Sequence, residues 1–293
     1  MALILQVLQI VAPVFALAAI GFGWVRLGLV YDVAFVTRLT MTLAIPCLIF
    51  MALARTEIDP ATLRDTALAT LAAYAGIGLS IWLLVSALGY DQRTFWAPLT
   101  FGNTGNIGLP VALFAFGAPG LDFAVVVFAI MAVLSFTVGV WVVSGQGSPL
   151  AAVREPMVWA SVAGGVFLVQ GWRLPAWAEA TLDLIGQIGI PLMLITLGVA
   201  ISQLRPAAFG RALGLGAVKL VICALAGLLA GLAFGLPPVG LAVLVMQAAT
   251  PVAVTNYMLA QKYGANAGEV AGLVVVSTLL SVLAIPLLLA VFV

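Results

Sequence analysis

The sequence contains no histidine, two cysteines and few charged residues. Only 7% of its 293 residues are Asp, Glu, Lys or Arg, whereas about a quarter are charged in an average soluble domain. Cys47 and Cys223 lie inside apolar runs, so neither a disulfide framework nor a metal site built from His and Cys is expected. The formal net charge of +1 provides no basic surface for nucleic acid. We therefore predict no cofactor, no metal and no nucleic-acid partner.

Hydrophobic residues, in contrast, dominate the chain. They make up 65% of it, and the mean hydropathy is +1.27, so too few polar residues remain to cover a soluble protein. The apolar residues form continuous runs, long enough for helices that cross a bilayer in about 20 residues. They do not alternate with polar residues as in a transmembrane β-barrel. The composition predicts an all-α integral membrane protein whose main solvent is the lipid bilayer.

Charged and turn-forming residues divide the chain into ten apolar segments, each predicted to be a transmembrane helix. The first segment has no basic residue before its apolar run, which favours a spanning helix over a cleaved signal peptide. The ten segments lie near residues 4–25, 33–54, 63–88, 94–117, 120–143, 149–171, 180–202, 208–234, 238–262 and 268–292.

Two stretches half a chain apart resemble each other. Leu, Ile and Pro coincide between residues 38–46 and 183–191, at a shift of 145 residues. Five helices per half is an odd number, so the two halves would cross the membrane in opposite senses, as in the inverted repeats of many transporters. We therefore predict two five-helix repeats, over residues 1–145 and 146–293.

Segments four and nine each contain residues that interrupt a helix. Residues 102–110 hold three glycines, two asparagines and Pro110, and Pro251 lies mid-segment between Gln247 and Asn256. Proline has no N–H group and its ring clashes with the carbonyl four residues earlier, so the helix opens there. In lipid, the bare backbone groups are costly unless they face protein or a watery cavity.

Interrupted helices at corresponding positions of two repeats are typical of a transport site. Each break exposes the N–H groups of a half-helix that starts near the midplane, and these groups attract anions. The alternative is that the prolines make packing kinks, which the asparagines only cap. The transport-site interpretation gives the candidate binding residues Asn103, Gly105, Asn106, Pro110, Gln247, Thr250, Pro251, Thr255 and Asn256.

Lys219 is a basic residue predicted near the bilayer midplane, because it follows the start of segment eight by about ten residues at 1.5 Å each. A cation there usually faces the bundle interior or water, so one interpretation makes Lys219 a counter-charge for a carboxylate. The alternative is a snorkelling lysine whose amine reaches the interface. Gln187, near Pro191 in segment seven, either faces the same cavity or forms an interhelical hydrogen bond.

Two motifs resemble the auxin efflux carrier family and its bacterial members. They are Gly-Asn-Thr-Gly-Asn-Ile-Gly-Leu-Pro at 102–110 and Thr-Pro-Val-Ala-Val-Thr-Asn-Tyr-Met-Leu-Ala at 250–260. The stretch 270–289 is also similar, and the resemblance covers the whole chain. It implies ten helices in a five-plus-five inverted repeat, with helices four and nine crossing near the site. It also implies an elevator-type carrier of small organic anions, commonly a homodimer.

Plant members of that family have a long cytoplasmic loop between the halves, whereas the link near 144–150 is short here, which argues against auxin as the substrate. Bacterial relatives are associated with malate, malonate or similar carboxylates. We therefore expect a secondary transporter of a small carboxylate in a bacterial cytoplasmic membrane. One alternative is a sodium-coupled carrier of the bile-acid type. Another is an intramembrane enzyme, which the lack of histidine and of paired carboxylates near helix centres disfavours.

The distribution of basic residues predicts that both termini lie outside. With that orientation, seven basic residues fall in cytoplasmic connections and three in outer connections, which agrees with the positive-inside rule. The inner residues are Arg26, Arg38, Arg93, Arg154, Arg205, Arg211 and Lys262, and the outer residues are Arg55, Arg64 and Arg173.

This orientation can be tested by placing single cysteines at positions 147 and 293 in a variant without Cys47 and Cys223. A membrane-impermeant thiol reagent added to intact cells should label position 293 but not position 147. Permeabilised cells serve as the control, in which both positions should react. The reverse pattern in intact cells would contradict the orientation.

Overall fold

The computed structural model describes residues 2–55, 59–145, 156–203 and 209–292, and these residues are almost entirely helical. The orientation argument also used Arg154 and Arg205, which lie outside the described residues. The helices are α1 Ala2–Arg26, α2 Val33–Leu39, α3 Ile45–Arg55, α4 Pro60–Ala87, α5 Gln92–Thr100, α6 Leu109–Leu134, α7 Val140–Ser144, α8 Pro156–Gln170, α9 Ala176–Gln187, α10 Gly189–Gln203, α11 Phe209–Ala233, α12 Pro238–Ala248, α13 Val254–Lys262 and α14 Ala267–Phe292.

Several of these helices are long and apolar enough to cross a membrane. Within the described ranges, six stretches meet both criteria, and α12 and part of α1 are shorter apolar helices. Large apolar side chains on the outer faces, such as Leu283 and Leu287 of α14, are about two-thirds exposed. Exposed apolar surface on this scale requires lipid. The six stretches are Val33–Arg55, Pro60–Ala87, Thr104–Ser144, Ala176–Thr196, Phe209–Ala233 and Ala267–Phe292.

Three π-helical turns interrupt the α-helices in the part of the chain that the structure describes. The first, Thr40–Ala44, joins α2 to α3; the second, Thr104–Gly108, precedes α6; and the third, Ser135–Gly139, joins α6 to α7. Pro46 and Pro110 each follow a π turn by two residues. A wider turn accommodates a proline ring because the carbonyl facing it moves aside. The helix therefore continues through Pro110, and the break in segment four lies upstream, between α5 and the second π turn. α6 itself is kinked at Gly117 (φ 67°), where the predicted segments four and five meet.

The helices pack in two groups. In the first group, which we call the α1/α10 group, α1 packs along α10 and α3 packs on α8 and α9. In the second, the α11 group, α11 packs on α4, α12 and α14, while α6 packs on α4 and α12. Contacts between the two groups are fewer and run mainly through α1 against α6 and α14, through α3 against α6, and through the second π turn against α10.

Glycines allow α1 and α10 to approach closely. A Cβ atom built on Gly21 would lie 1.9 Å from the carbonyl oxygen of Ile195, and one on Gly198 would lie 1.8 Å from that of Ala18. Small residues at such crossings let two membrane helices pack backbone against backbone. This close backbone contact holds α1 against α10.

Arg93, at the start of α5, joins the ends of two other helices. Its Nε donates to the carbonyl of Val143 at 3.0 Å, and its Nη2 donates to that of Tyr263 at 2.8 Å. Val143 lies near the end of α7, which closes at the left-handed Gly145 (φ 69°). Basic groups satisfy the unpaired carbonyls at helix C-termini. Arg93 therefore ties α5, α7 and α13 together at one end of the α11 group.

The glycine contact predicts that Gly21→Ala and Gly198→Ala will each lower the free energy of unfolding. The added methyl group meets backbone atoms that cannot rotate away, so we expect a loss of about 1–3 kcal/mol, measured by thermal and denaturant unfolding in detergent. Gly23→Ala is the matched control on α1, because no atom of the described residues lies within 4 Å of a Cβ built there. Equal stability of all three variants would show that the helices do not pack as described.

Candidate functional site

The two broken helices cross each other through short extended segments. Gly102 and Val252 form an isolated antiparallel bridge, and the N–H of Asn103 donates to the carbonyl of Pro251 at 2.7 Å. The N–H of Val252 donates to Ser277 Oγ of α14 at 2.9 Å. These bonds satisfy backbone groups that the breaks leave open. The two helix interruptions therefore meet at one point in the structure.

A glycine is required at this crossing. A Cβ built on Gly102 would lie 2.2 Å from Thr250 Oγ1 and 2.9 Å from the Thr250 carbonyl oxygen. Gly108 faces Gln247 in the same way, because its Cβ would lie 1.9 Å from Gln247 Oε1. The amide of Gln247 also donates to the Ala124 carbonyl at 3.3 Å. Gln247 and Thr250 therefore form the frame of the crossing.

The two asparagines flanking the crossing have different functions. Asn103 caps the second π turn, because its Oδ1 accepts the N–H of Asn106 at 3.2 Å. It is 4% exposed, and its Nδ2 has no partner among the described residues. Asn256, in α13, is 2% exposed and donates its Nδ2 to the Phe101 carbonyl at 3.1 Å. Asn256 stabilises the crossing through its Nδ2, and its Oδ1 has no partner among the described residues; Asn103, in contrast, has an unpaired donor.

Lys219 is buried behind the crossing and does not snorkel. It is 1% exposed, and its Nζ donates to the Thr250 carbonyl at 2.8 Å. Cys223, one turn along α11, lies 3.8 Å from the same amine and 3.9 Å from the carbonyl of Leu99. The space beside Lys219 measures about 10 Å³, room for one water molecule at most. Lys219 therefore satisfies the Thr250 carbonyl at the crossing and does not face an open cavity.

Two small cavities adjoin the opposite side of the crossing. One, of about 50 Å³, is lined by Asn103, Gly105, Asn106, Ser135 and Thr255 together with apolar side chains. The other, of about 30 Å³, shares Asn106 and Thr255 and adds Thr40, whose Oγ1 is buried without a partner among the described residues. We call the two together the crossing cavity.

All three π turns contribute to the crossing cavity. The first supplies Thr40 and Met41, the second Gly105 and Asn106, and the third Ser135 and Phe136. π turns are rare and are frequent at functional sites. Because all three π turns meet at one small space, they indicate a functional site there independently of the broken helices.

The crossing has a negative and a positive side. The C-terminal ends of α5 and α12 carry partial negative charge. On that side, the Lys219 amine donates to the Thr250 carbonyl, and the Cys223 sulfur lies near the Leu99 carbonyl. The N-terminal ends of the second π turn and of α13 carry partial positive charge, and both line the crossing cavity. A cation of the protein thus occupies one side, and the other side is suited to an anion.

A wider opening continues from the crossing cavity toward the end of α13. A space of about 550 Å³ shares Thr37, Met41, Phe136 and Thr255 with the crossing cavity and reaches Lys262. In the other direction lies an apolar cluster that includes Ile107, which follows Asn106 in the second π turn. The crossing cavity therefore opens toward the Lys262 end.

Gln187 lies apart from the crossing cavity. It lines a separate cavity of about 820 Å³, together with Pro119, Asp122 and Arg55. Its Nε2 donates to Asp183 Oδ2 at 3.1 Å, and Asp183 also accepts from Arg55 Nη1 at 2.9 Å. We call this space the Arg55 cavity.

The structure brings most of the predicted site residues together, but in different settings. Four line the crossing cavity, four frame the crossing, Lys219 lies behind it, Pro110 lies inside α6, and Gln187 lies in the Arg55 cavity. The lining residues are Asn103, Gly105, Asn106 and Thr255, and the framing residues are Gln247, Thr250, Pro251 and Asn256.

Sequence reasoning missed the cavity walls. Met41, Phe128, Met131 and Phe136 line the crossing cavity, but apolar residues within apolar segments carry no signal that distinguishes a cavity wall from lipid contact. One signal that could have helped is Pro46, two residues after the first π turn, which marks a place where the helix is distorted.

Crossed, interrupted helices inside a bundle of membrane-spanning helices define a membrane transporter. A sequence model of the family described as "Membrane transport protein" matches residues 6–151 and 141–289. The chain belongs to this family, the auxin efflux carrier family that the motifs indicate.

Two relatives have names that agree with this class. The chain is 28% identical to an "Uncharacterized transporter" of Methanothermobacter thermautotrophicus, over 95% of this chain and 96% of the relative. It is 24% identical to a "Putative malonate transporter" of Rhizobium meliloti, over 94% of this chain and 93% of the relative.

The position of Lys219 predicts a structural effect of its removal. Lys219→Met leaves the buried Thr250 carbonyl without this donor, so the free energy of unfolding should fall by about 1–3 kcal/mol. Cys223→Ala is the matched control for lost packing, because its sulfur is also fully buried but makes only long contacts of 3.8 and 3.9 Å; Lys219→Met should cost more than this variant. Unfolding of both variants in detergent provides the measurement. A Lys219→Met protein as stable as wild type would show that the amine does not support the crossing.

Proposed function

We propose that this protein is a secondary active transporter that carries a small carboxylate anion across the cytoplasmic membrane. The observation that carries the proposal is the crossing cavity, where two half-helix N-termini meet beside the Nδ2 of Asn103, which has no partner among the described residues. Helix N-termini bind anions through their free N–H groups and the helix dipole. A carboxylate here would replace the water that these donors otherwise need.

We propose that the helices form the ten-helix, five-plus-five inverted repeat. Support comes from the two matches of the family model, which cover the two halves of the chain in turn. The break between α5 and the second π turn corresponds to the break between α12 and α13, and each lies in the fourth segment of its half. α1 and α8 would be the first helices of the two halves.

In this inverted-repeat architecture, alternating access would occur by movement of the α11 group relative to the α1/α10 group. The α11 group contains the whole crossing, while the α1/α10 group contributes Met41, Met193 and Thr196 to the walls of the crossing cavity. An elevator-type movement would slide the α11 group past the α1/α10 group and carry the bound anion with it. The sparse contacts between the groups favour this mechanism, because few contacts have to break.

The direction of the opening agrees with a cytoplasm-facing state. The opening runs toward Lys262, a residue that the charge distribution places inside with both termini outside. A homodimer in a bacterial inner membrane, which the family resemblance implies, stays a prediction.

Asn103→Asp tests the anion site without removing the cap. The carboxylate oxygen can still accept the Asn106 N–H, so the melting temperature should stay near that of wild type. The lost amide donor and the added negative charge should weaken carboxylate binding at least tenfold and abolish uptake into proteoliposomes.

Gln187→Ala is the control for this experiment, because Gln187 lies in the Arg55 cavity and its loss should leave uptake unchanged. Uptake is to be measured with and without sodium, since stimulation by sodium would favour a sodium-coupled carrier. Normal carboxylate uptake by a folded Asn103→Asp protein would overturn the proposed site.

A further inference from the structure

We infer that the negative side of the crossing is a site for a monovalent alkali cation, and that the Lys219 ammonium occupies this site as a tethered cation in place of a free ion. The inference rests on the proposed function and deepens it, because it identifies the group that takes the place of a coupling ion. It follows from the oxygen atoms beside Lys219, from the burial of its charge and from the little space left around it.

Oxygen-bearing residues line the small space beside the Lys219 amine. The amine donates to the Thr250 carbonyl at 2.8 Å, just beyond the C-terminal end of α12. Ser277 and Ser281 of α14 line the same space as Lys219 and Thr250. Carbonyls at the ends of interrupted helices coordinate the coupling ions of many secondary transporters, and hard cations prefer oxygen ligands. The lining of this space therefore has the chemistry of an alkali-cation site.

The hydroxyl groups of this space are oriented by their own helices. Thr250, Ser277 and Ser281 each donate the hydroxyl proton to the carbonyl three residues earlier, at 2.7, 3.4 and 2.7 Å. A hydroxyl group that donates its one proton keeps lone pairs and can act only as an acceptor toward a further group. Together with the Thr250 carbonyl, these hydroxyl oxygens favour a cation beside them.

The charge of Lys219 is balanced by helix ends. The side chain is 1% exposed, and no carboxylate forms an ion pair with it in the part of the chain that the structure describes. A buried cation without compensation is strongly unfavourable. The C-terminal ends of α5 and α12 each carry about half an elementary negative charge, so together they offset roughly one positive charge. One ammonium group meets this requirement, and one alkali ion would meet it equally.

The Lys219 side chain leaves no room for an ion beside it. The remaining space measures about 10 Å³, and a single water molecule already needs about 10–15 Å³. A shorter, polar side chain at position 219 would vacate the place of the ammonium and leave the surrounding oxygen atoms where they are. The negative helix ends would then lack their cation, and a free alkali ion should enter.

Replacing Lys219 by serine tests this inference. Lys219→Ser removes the ammonium with its stem and adds a hydroxyl oxygen. The melting temperature is to be measured in detergent, without any carboxylate, in sodium, potassium or choline chloride of equal concentration. Lys219→Ser should melt at least about 3 °C higher in sodium or potassium chloride than in choline chloride, because an ion that binds only the folded protein stabilises it.

Lys219→Met is the matched control for the serine variant. It also loses the ammonium, but its apolar side chain fills most of the space, so it should melt at the same temperature in all three salts. The wild-type protein should not distinguish the salts either, since its own ammonium occupies the site. A folded Lys219→Ser protein with equal melting temperatures in the three salts would overturn the inference, and so would a wild-type protein stabilised by sodium or potassium as strongly as the serine variant.

Uptake into proteoliposomes provides a second measurement, with labelled acetate, malonate and succinate each tested alone. Wild-type uptake should stay within twofold when choline replaces sodium and potassium on both sides of the membrane, whereas uptake by Lys219→Ser should fall at least tenfold. Wild-type uptake that requires an alkali cation would overturn the inference even if Lys219→Ser does not fold. If no protein takes up any of the three acids, the proposed carboxylate carrier fails, while the melting temperatures still decide the cation site.

Discussion

Unpaired backbone groups in the middle of a membrane are the constraint on which this structure depends. Each interrupted helix opens carbonyl and N–H groups where lipid offers no partner. The two interruptions hydrogen-bond to each other, through the Asn103 N–H and the Pro251 carbonyl. Side chains of Ser277, Lys219 and Asn256 form hydrogen bonds with further open backbone groups. The helices of the α11 group therefore pack around the crossing, and their apolar core surrounds its hydrogen-bonded groups.

The crossing also separates charge without using a carboxylate. Its negative helix ends lie beside Lys219 in a space too small for a ligand, and its positive helix ends line a cavity. An anion bound there, as we propose, would complete the electrostatic balance of the crossing. Under this proposal, substrate and fold would stabilise each other, which suits a carrier that moves only when it is loaded.

The breaks were predictable because proline, glycine and asparagine seldom cluster inside an apolar segment unless the helix is interrupted there. For Lys219, the sequence left a buried and a snorkelling amine equally open, because it does not show which face of the helix packs inward; the structure buries the side chain. A π turn adds a residue, and one residue rotates the rest of a helix by about 100°, so positions beyond Thr40–Ala44, Thr104–Gly108 and Ser135–Gly139 no longer follow one helical periodicity. Gln187 and the apolar walls could not be placed, since the face of a distorted helix that points inward depends on packing.

Arg93 has a consequence for how such carriers diversify. Arg93 donates to the carbonyls of Val143 and Tyr263, so the end of α7 is held against α5 and α13 immediately before Gly145. Sequence inserted after Gly145 would leave these two hydrogen bonds in place, and lengthening a connection costs little free energy. A carrier of this architecture can therefore gain a long connection at this junction while the crossing keeps its hydrogen bonds.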